Sequence, residues 1–196
     1  SGKGSEMRLV LSGEVNGNKI GLDSRFAGRM DAWRDGDAAL TLNMSGPEGA
    51  LLLRQLGFDV ASEEGLGAAE LALKLNGQPG DSLALSLDAK AGTSRLEAVG
   101  DMELPRDGVP LLYTAGVTLK SQDLSPAVLM TGQVLPALAG DLTADLRFDL
   151  LGEGGKLTLS DIKGAMAGVT VAGRLTGDLT PAAGSGLYRI SGALDL

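Results

Sequence analysis

The chain has 196 residues, 43% of them hydrophobic, enough apolar material for one domain or two very similar halves. A net charge of −8, with no run of Lys or Arg, lacks the electrostatic footprint of a nucleic-acid or anionic-headgroup binder and reads as a solvated face. No cysteine and no histidine occur, which removes disulfides, thiolate sites, the commonest general base and most transition-metal sites.

One Trp, two Tyr and three Phe leave burial to Leu, Val and Ala, while 30 glycines point to many turns and bulges. Ser1 to Ser5 reads as a linker, without a signal peptide, and the chain is expected to be a piece of a longer protein. Leu9 and Leu11 open a strand that reaches Val15, and Asn16-Gly17-Asn18 then turns it. Asn-Gly suits a type I′ hairpin, whose central residues both need positive φ. The return strand spans Lys19 to Met30, Asp35-Gly36-Asp37 turns again, and Ala38 to Met44 follows.

A helix fits Pro47 to Leu56, with Ser45 or Gly46 as cap, Pro at its first position and Gly57 closing it. So short a helix is marginal alone, so its leucines must dock on the sheet. Strands at Ala69–Asn76, Ser82–Ala91 and Ser94–Leu104 alternate Leu71/Leu73/Leu75, Leu83/Leu85/Leu87 and Leu96/Ala98/Met102/Leu104 inward, with polar residues between them. That alternation indicates antiparallel sheet with one solvated face. Leu111–Lys120 is the next strand, and a second helix begins at Ser125 (cap) and Pro126, ending before Pro136. Strands at Asp141–Leu151, Lys156–Ile162, Val169–Leu179 and Leu187–Leu196 complete the series. The fold class is mainly β: about ten antiparallel strands in a curved, twisted sheet with two short helices.

The two helix-and-strand segments echo each other. Ala69-Glu70-Leu71-Ala72-Leu73-Lys74-Leu75 aligns without gaps on Ala144-Asp145-Leu146-Arg147-Phe148-Asp149-Leu150. Pro47 and Pro126 stand slightly further apart, which requires a small length difference between the copies. Repeat units of about 36–110 and 111–185 follow, and an addition-built β structure offers a continuous surface rather than an enclosed catalytic pocket.

Chemical motifs fail at specific residues. Gly152-Glu153-Gly154-Gly155-Lys156 suggests a phosphate loop, but Leu157 stands where Ser or Thr is needed, so a hairpin turn is expected. Asp31, Asp35 and Asp37 suggest a calcium loop whose bidentate Glu is replaced by Leu42. Asp88 and Glu97 could sit on adjacent strands as glycosidase acids do, although chance proximity is expected among 25 acidic residues. Asn43-Met44-Ser45 is a formal glycosylation sequon. No apolar run approaches the ~20 residues that span a bilayer. No enzyme activity, cofactor or metal is expected.

Asp123-Leu124-Ser125-Pro126 set among leucine-alternating strands, and Lys156-Leu157-Thr158-Leu159-Ser160-Asp161-Ile162-Lys163-Gly164-Ala165 through Val169-Thr170-Val171-Ala172-Gly173-Arg174-Leu175, resemble the AsmA family of Gram-negative envelope proteins. The resemblance implies a single elongated β-rich AsmA-like domain over 7–196, with 1–6 as linker. It also implies a periplasmic protein tethered to the inner membrane through a segment outside this chain, acting in outer-membrane assembly or phospholipid transport. TamB-like and YhdP-like relatives form long curved sheets with a hydrophobic groove. The implied partner is phospholipid or another acyl lipid; no protein partner is identified. Groove-lining candidates are Leu71, Leu73, Leu75, Leu83, Leu85, Leu87, Leu146, Phe148, Leu150, Leu157, Leu159, Val169, Val171 and Leu175. An aliphatic lining suits acyl chains, which need no directional bonds. The same leucines serve equally as a closed core packed on each other and on the helices. A structural or protein-binding β module without lipid ligand is the alternative function.

Overall fold

A computed structural model describes residues 5–56, 66–130, 141–178 and 189–195. Eleven strands form one open sheet in which each is hydrogen-bonded to its neighbours in sequence, all antiparallel. They are β1 (Ser5–Val15), β2 (Asn18–Gly28), β3 (Asp37–Gly46), β4 (Ala69–Gly77), β5 (Leu83–Ala91) and β6 (Ser94–Glu103). β7 (Leu112–Ser121), β8 (Ala144–Glu153), β9 (Lys156–Met166), β10 (Val169–Asp178) and β11 (Arg189–Asp195) complete it. At ~4.8 Å per strand the sheet extends about 50 Å across. The fold is mainly β, as its alternation indicated.

Two helices, α1 (Gly49–Gln55) and α2 (Ser125–Met130), interrupt the meander at one rim. α1 is inserted between β3 and β4, α2 between β7 and β8, and tight hairpins occupy the intervening positions of that rim. The first hairpin follows the expected chemistry, with Asn16 at φ +52° and Gly17 at +80°. The last one, Ala167 (+49°) and Gly168 (+79°), adopts the same signs without an Asn or Asp to announce it.

Local details depart from the sequence reading. β2 stops at Gly28, and Met30–Asp35 forms a kinked 3-10 segment instead of continuing the strand. α1 starts at Gly49, not Pro47; Glu48 holds the cap position without a side-chain bond, and Gly49 N–H donates to the Gly67 carbonyl (2.7 Å). At α2 the capping role falls to Asp123 rather than Ser125. Its Oδ1 accepts from the Ser125 N–H (2.9 Å) and the Leu142 N–H (3.3 Å), and these bonds, the Ser125 ones foremost, hold its carboxyl below the usual range. Gly57, Pro136, Leu179, Leu187 and Leu196, assigned to helix ends or strands, lie outside the described residues.

Backbone bonds around the two insertions correspond at a single spacing. Gly49 N–H to Gly67 O matches Leu124 N–H to Leu142 O (2.8 Å). Gly92 N–H to Ala68 O (3.0 Å) matches Ala167 N–H to Thr143 O (2.8 Å). These pairs stand as far apart in sequence as Ala69 and Ala144, the buried first residues of β4 and β8. The prolines do not share that spacing, so Pro47 and Pro126 are not equivalent positions. No length difference between the two insertions is needed.

Candidate functional site

Strand registers place the candidate lining residues on one face of the sheet. One row runs Leu11, Leu22, Leu42, Leu73, Leu87, Ala98, Val117, Phe148 from β1 to β8. The next runs Leu75, Leu85, Gly100, Ala115, Leu150, Leu159, Leu175 from β4 to β10. Leu71 shares a row with Ala89, Leu96, Leu119, Leu146, Gly164 and Val171, and Leu83 one with Met102, Tyr113, Gly152 and Leu157. Val169 opposes Met166 at the rim.

One device in β9 keeps that face apolar. Leu157 and Leu159 occupy odd positions, whereas Ile162, Gly164 and Met166 are even. The pairing slips by one residue on both neighbouring strands at this point. Asp161, at φ +51°, is the inserted residue. A bulge adds one residue to one strand, and Asp tolerates the left-handed region better than most residues. Ile162 therefore returns to the apolar side, where it is buried.

The face is incompletely covered. Ala98, Ala115 and Val117 form a buried centre with Leu87, Leu96, Phe148 and Leu150 packed around them. Leu83 and Val171 are also buried, Val169 is exposed, and the other candidates are half-buried. Among the described residues no second sheet overlies this face; only α1 and α2 reach over it, at one rim. There Ala50 and Leu66 are buried against Leu53, Ala91 and Ala127. Between the helices lies a recess of about 170 Å³, walled by Leu52, Leu53, Leu124 and Ala127 and floored by Leu71, Ala89, Leu96 and Leu119. Small-molecule pockets usually exceed roughly 300 Å³, so the recess is an alcove of the open face rather than a site by itself.

The opposite rim is tied across by hydrogen bonds. Arg34 Nη2 donates to the Pro105 carbonyl (2.8 Å), Gly80 N–H donates to the Arg34 carbonyl (2.6 Å), and Arg106 Nη2 donates to the Asp81 carbonyl (3.2 Å). These bonds tie the β2–β3, β4–β5 and β6–β7 connections. In a flat sheet β3 and β6 would lie about 14 Å apart, a gap that the Met30–Asp35 segment and the Arg34 side chain bridge. Nearby, the Tyr113 ring lies over Gly152, where an added Cβ would sit 2.0 Å from it. Burial pushes the Tyr113 hydroxyl pKa up.

The other face carries ion pairs. Asp88 and Glu97 are directly opposed on β5 and β6, as the sequence suggested, but Arg95 Nη2 lies 2.8 Å from Asp88 Oδ2 and 2.7 Å from Glu97 Oε1. Its hydrogen bond holds the Asp88 carboxyl below the usual range. Acid–base work needs two groups whose environments push their pKa values apart, with one kept protonated. Here the guanidinium bridges both and favours the charged form of Asp88. Glu70–Lys90 (3.5 Å) and Lys120–Asp145 (3.6 Å) extend the pattern across the strands. Asp31 pairs with Arg29 in the 3-10 segment, and no cluster of three metal-ligating side chains occurs among the described residues. Gly154, at φ +59°, turns the β8–β9 hairpin.

No protein-family model matches the chain. No curated protein and no solved structure matches it either.

Proposed function

We propose that the leucine face is a lipid-accommodating lining, and that this chain is a non-enzymatic part of a periplasmic envelope protein involved in phospholipid transport or outer-membrane assembly. The observation that carries the reading is the aliphatic face itself, half-buried and without a second layer over it among the described residues. Contiguous exposed apolar surface commonly marks a binding site. Its lining offers aliphatic contact with few directional groups, as an acyl chain requires. The bridged rim around Arg34 and the two helices opposite give the face raised margins. The equivalent bonds around α1 and α2 support repetition of one unit along the sheet, and with it the AsmA-like organisation that the sequence resembles. In this reading the tether to the inner membrane lies outside these residues.

Native mass spectrometry of protein purified from a membrane-containing host tests the proposal. Phospholipid-bearing species, extractable by organic solvent, are expected; protein that stays empty when supplied with lipid contradicts it. A second reading, a structural or protein-binding β module without a lipid ligand, draws on β1, which among the described residues is paired on one side.

A further inference from the structure

Asn18 is fully buried, yet neither its Nδ2 nor its Oδ1 has a hydrogen-bond partner. Buried polar side chains are nearly always paired, because an amide taken from water without a partner is costly. Asn18 follows the first hairpin turn and shares the leucine face. It stands opposite Val15 of β1, and its side chain leans over Gly46 of β3, where an added Cβ would strike Oδ1. Among the described strand residues it is the only amide on that face.

α1 crosses above this residue. At its start Gly49 sits over β4, where an added Cβ would lie 3.1 Å from the Ala69 methyl. At its end Gln55 Nε2 donates to the Val15 carbonyl of β1 (3.1 Å). Three strand spacings separate β4 from β1, about 14 Å. The seven residues of α1 supply roughly 10 Å and the Gln55 side chain the rest, so the path passes over the rim ends of β3 and β2. Gly46 and Asn18 occupy those ends.

We propose that α1 is a hinged lid whose Gln55 end lifts from the sheet, hydrating Asn18 and opening the rim of the leucine face over β2 and β3. Two unsatisfied atoms of Asn18 are a cost of the closed state alone, so they favour opening. Little opposes it. A helix this short is marginal by itself, Glu48 makes no side-chain cap bond, and inward burial falls to Ala50 and Leu52. The fixed end is Gly49, whose N–H is bonded to the Gly67 carbonyl and whose Cα is packed so closely on Leu66 that a side chain would clash. α2 is the contrast, because Asp123 ties its start to the Leu142 amide. The lid belongs to the ligand-free chain and operates whether or not the face takes lipid.

Hydrogen exchange on the full chain tests the lid, read at the Leu52 and Leu56 amides, whose bonds run to Glu48 and Leu52. Lifted from the sheet, so short a helix does not keep those bonds, and opening appears as exchange. Both amides should exchange about a hundredfold or more faster than the β3–β4 ladder. Asn18→Leu, of the same branched shape, and Asn18→Val, with less bulk, remove the unpaired amide and should each slow them about tenfold. Gln55→Ala should speed them several-fold. The Val128 amide of α2, bonded to Leu124, should respond to none of these changes. Simple fraying of the helix end would be indifferent to residue 18. Far-UV circular dichroism checks that each variant keeps its sheet. Protection of Leu52 and Leu56 equal to that of the ladder would overturn the proposal. So would unchanged or faster exchange in the folded Asn18 variants, which would show that the amide is satisfied beneath a closed helix.

Discussion

Leu11 and Val117 stand in the same row of the same sheet face, yet Leu11 is 53% exposed and Val117 only 5%. Val117 has strands on both sides and the Ala98–Ala115 cluster around it, while among the described residues Leu11 has a neighbouring strand on one side. The difference teaches that alternation fixes which face a residue shares and not whether that face is covered. A sandwich would bury both residues beneath a second layer. Along this row burial rises from exposed Leu11 through half-buried Leu22, Leu42, Leu73 and Leu87 to buried Ala98 and Val117.

The largest predicted effect breaks that comparison at its centre. Val117→Asp should cost about 3 kcal/mol or more in denaturant unfolding, because a carboxyl is placed in an apolar cluster without a partner. Leu11→Asp should stay within about 0.5 kcal/mol. Equal losses at both positions would mean that β1 is covered as well. Next, Gly152→Ala should cost about 2 kcal/mol, since the new methyl meets the Tyr113 ring. Adding Tyr113→Ala should recover part of that loss, a coupling that a double-mutant cycle reads directly.

Smaller effects are expected at the margins. Asp123→Ala should loosen the start of α2, seen as faster hydrogen exchange at the Ser125 and Leu142 amides whose bonds it removes, with the β7–β8 ladder unchanged. The Arg95 bridge should add a weak pH dependence. Its hydrogen bond lowers the folded-state pKa of Asp88, so the contribution is present above the unfolded value of about 3.9 and is lost as pH falls through the folded one. Both side chains are partly exposed, so high salt should flatten this acid limb. An acid limb unchanged in Arg95→Gln would show that the bridge contributes nothing.

The sequence made the meander legible because Leu at every second position, Asn-Gly, and Gly-rich turns all report local geometry. Much of the apolar face was legible for the same reason, since antiparallel hairpins with short turns leave little freedom of register. Asp161 was not legible as a bulge: its effect shows only as a switch from odd to even apolar positions, which resembles an ordinary strand end. Ala167 gives no turn signal because alanine seldom takes positive φ. The start of α1 was misread through Pro47, whereas its anchor is a backbone bond between Gly49 and Gly67 that local sequence does not announce. Coverage of the face depends on contacts between distant strands and helices, so alternation alone left lining and closed core open.

The central claim, that acyl chains lie on the leucine face, is tested most directly by two adjacent residues of β4 that point to opposite sides. Leu73→Trp and Lys74→Trp, each in a Trp33→Phe background, report on the two faces separately. Phospholipid brominated along its acyl chains should quench tryptophan fluorescence at position 73 and leave position 74 nearly unchanged. Equal quenching at both positions, or none at 73 with lipid in excess, would contradict the account.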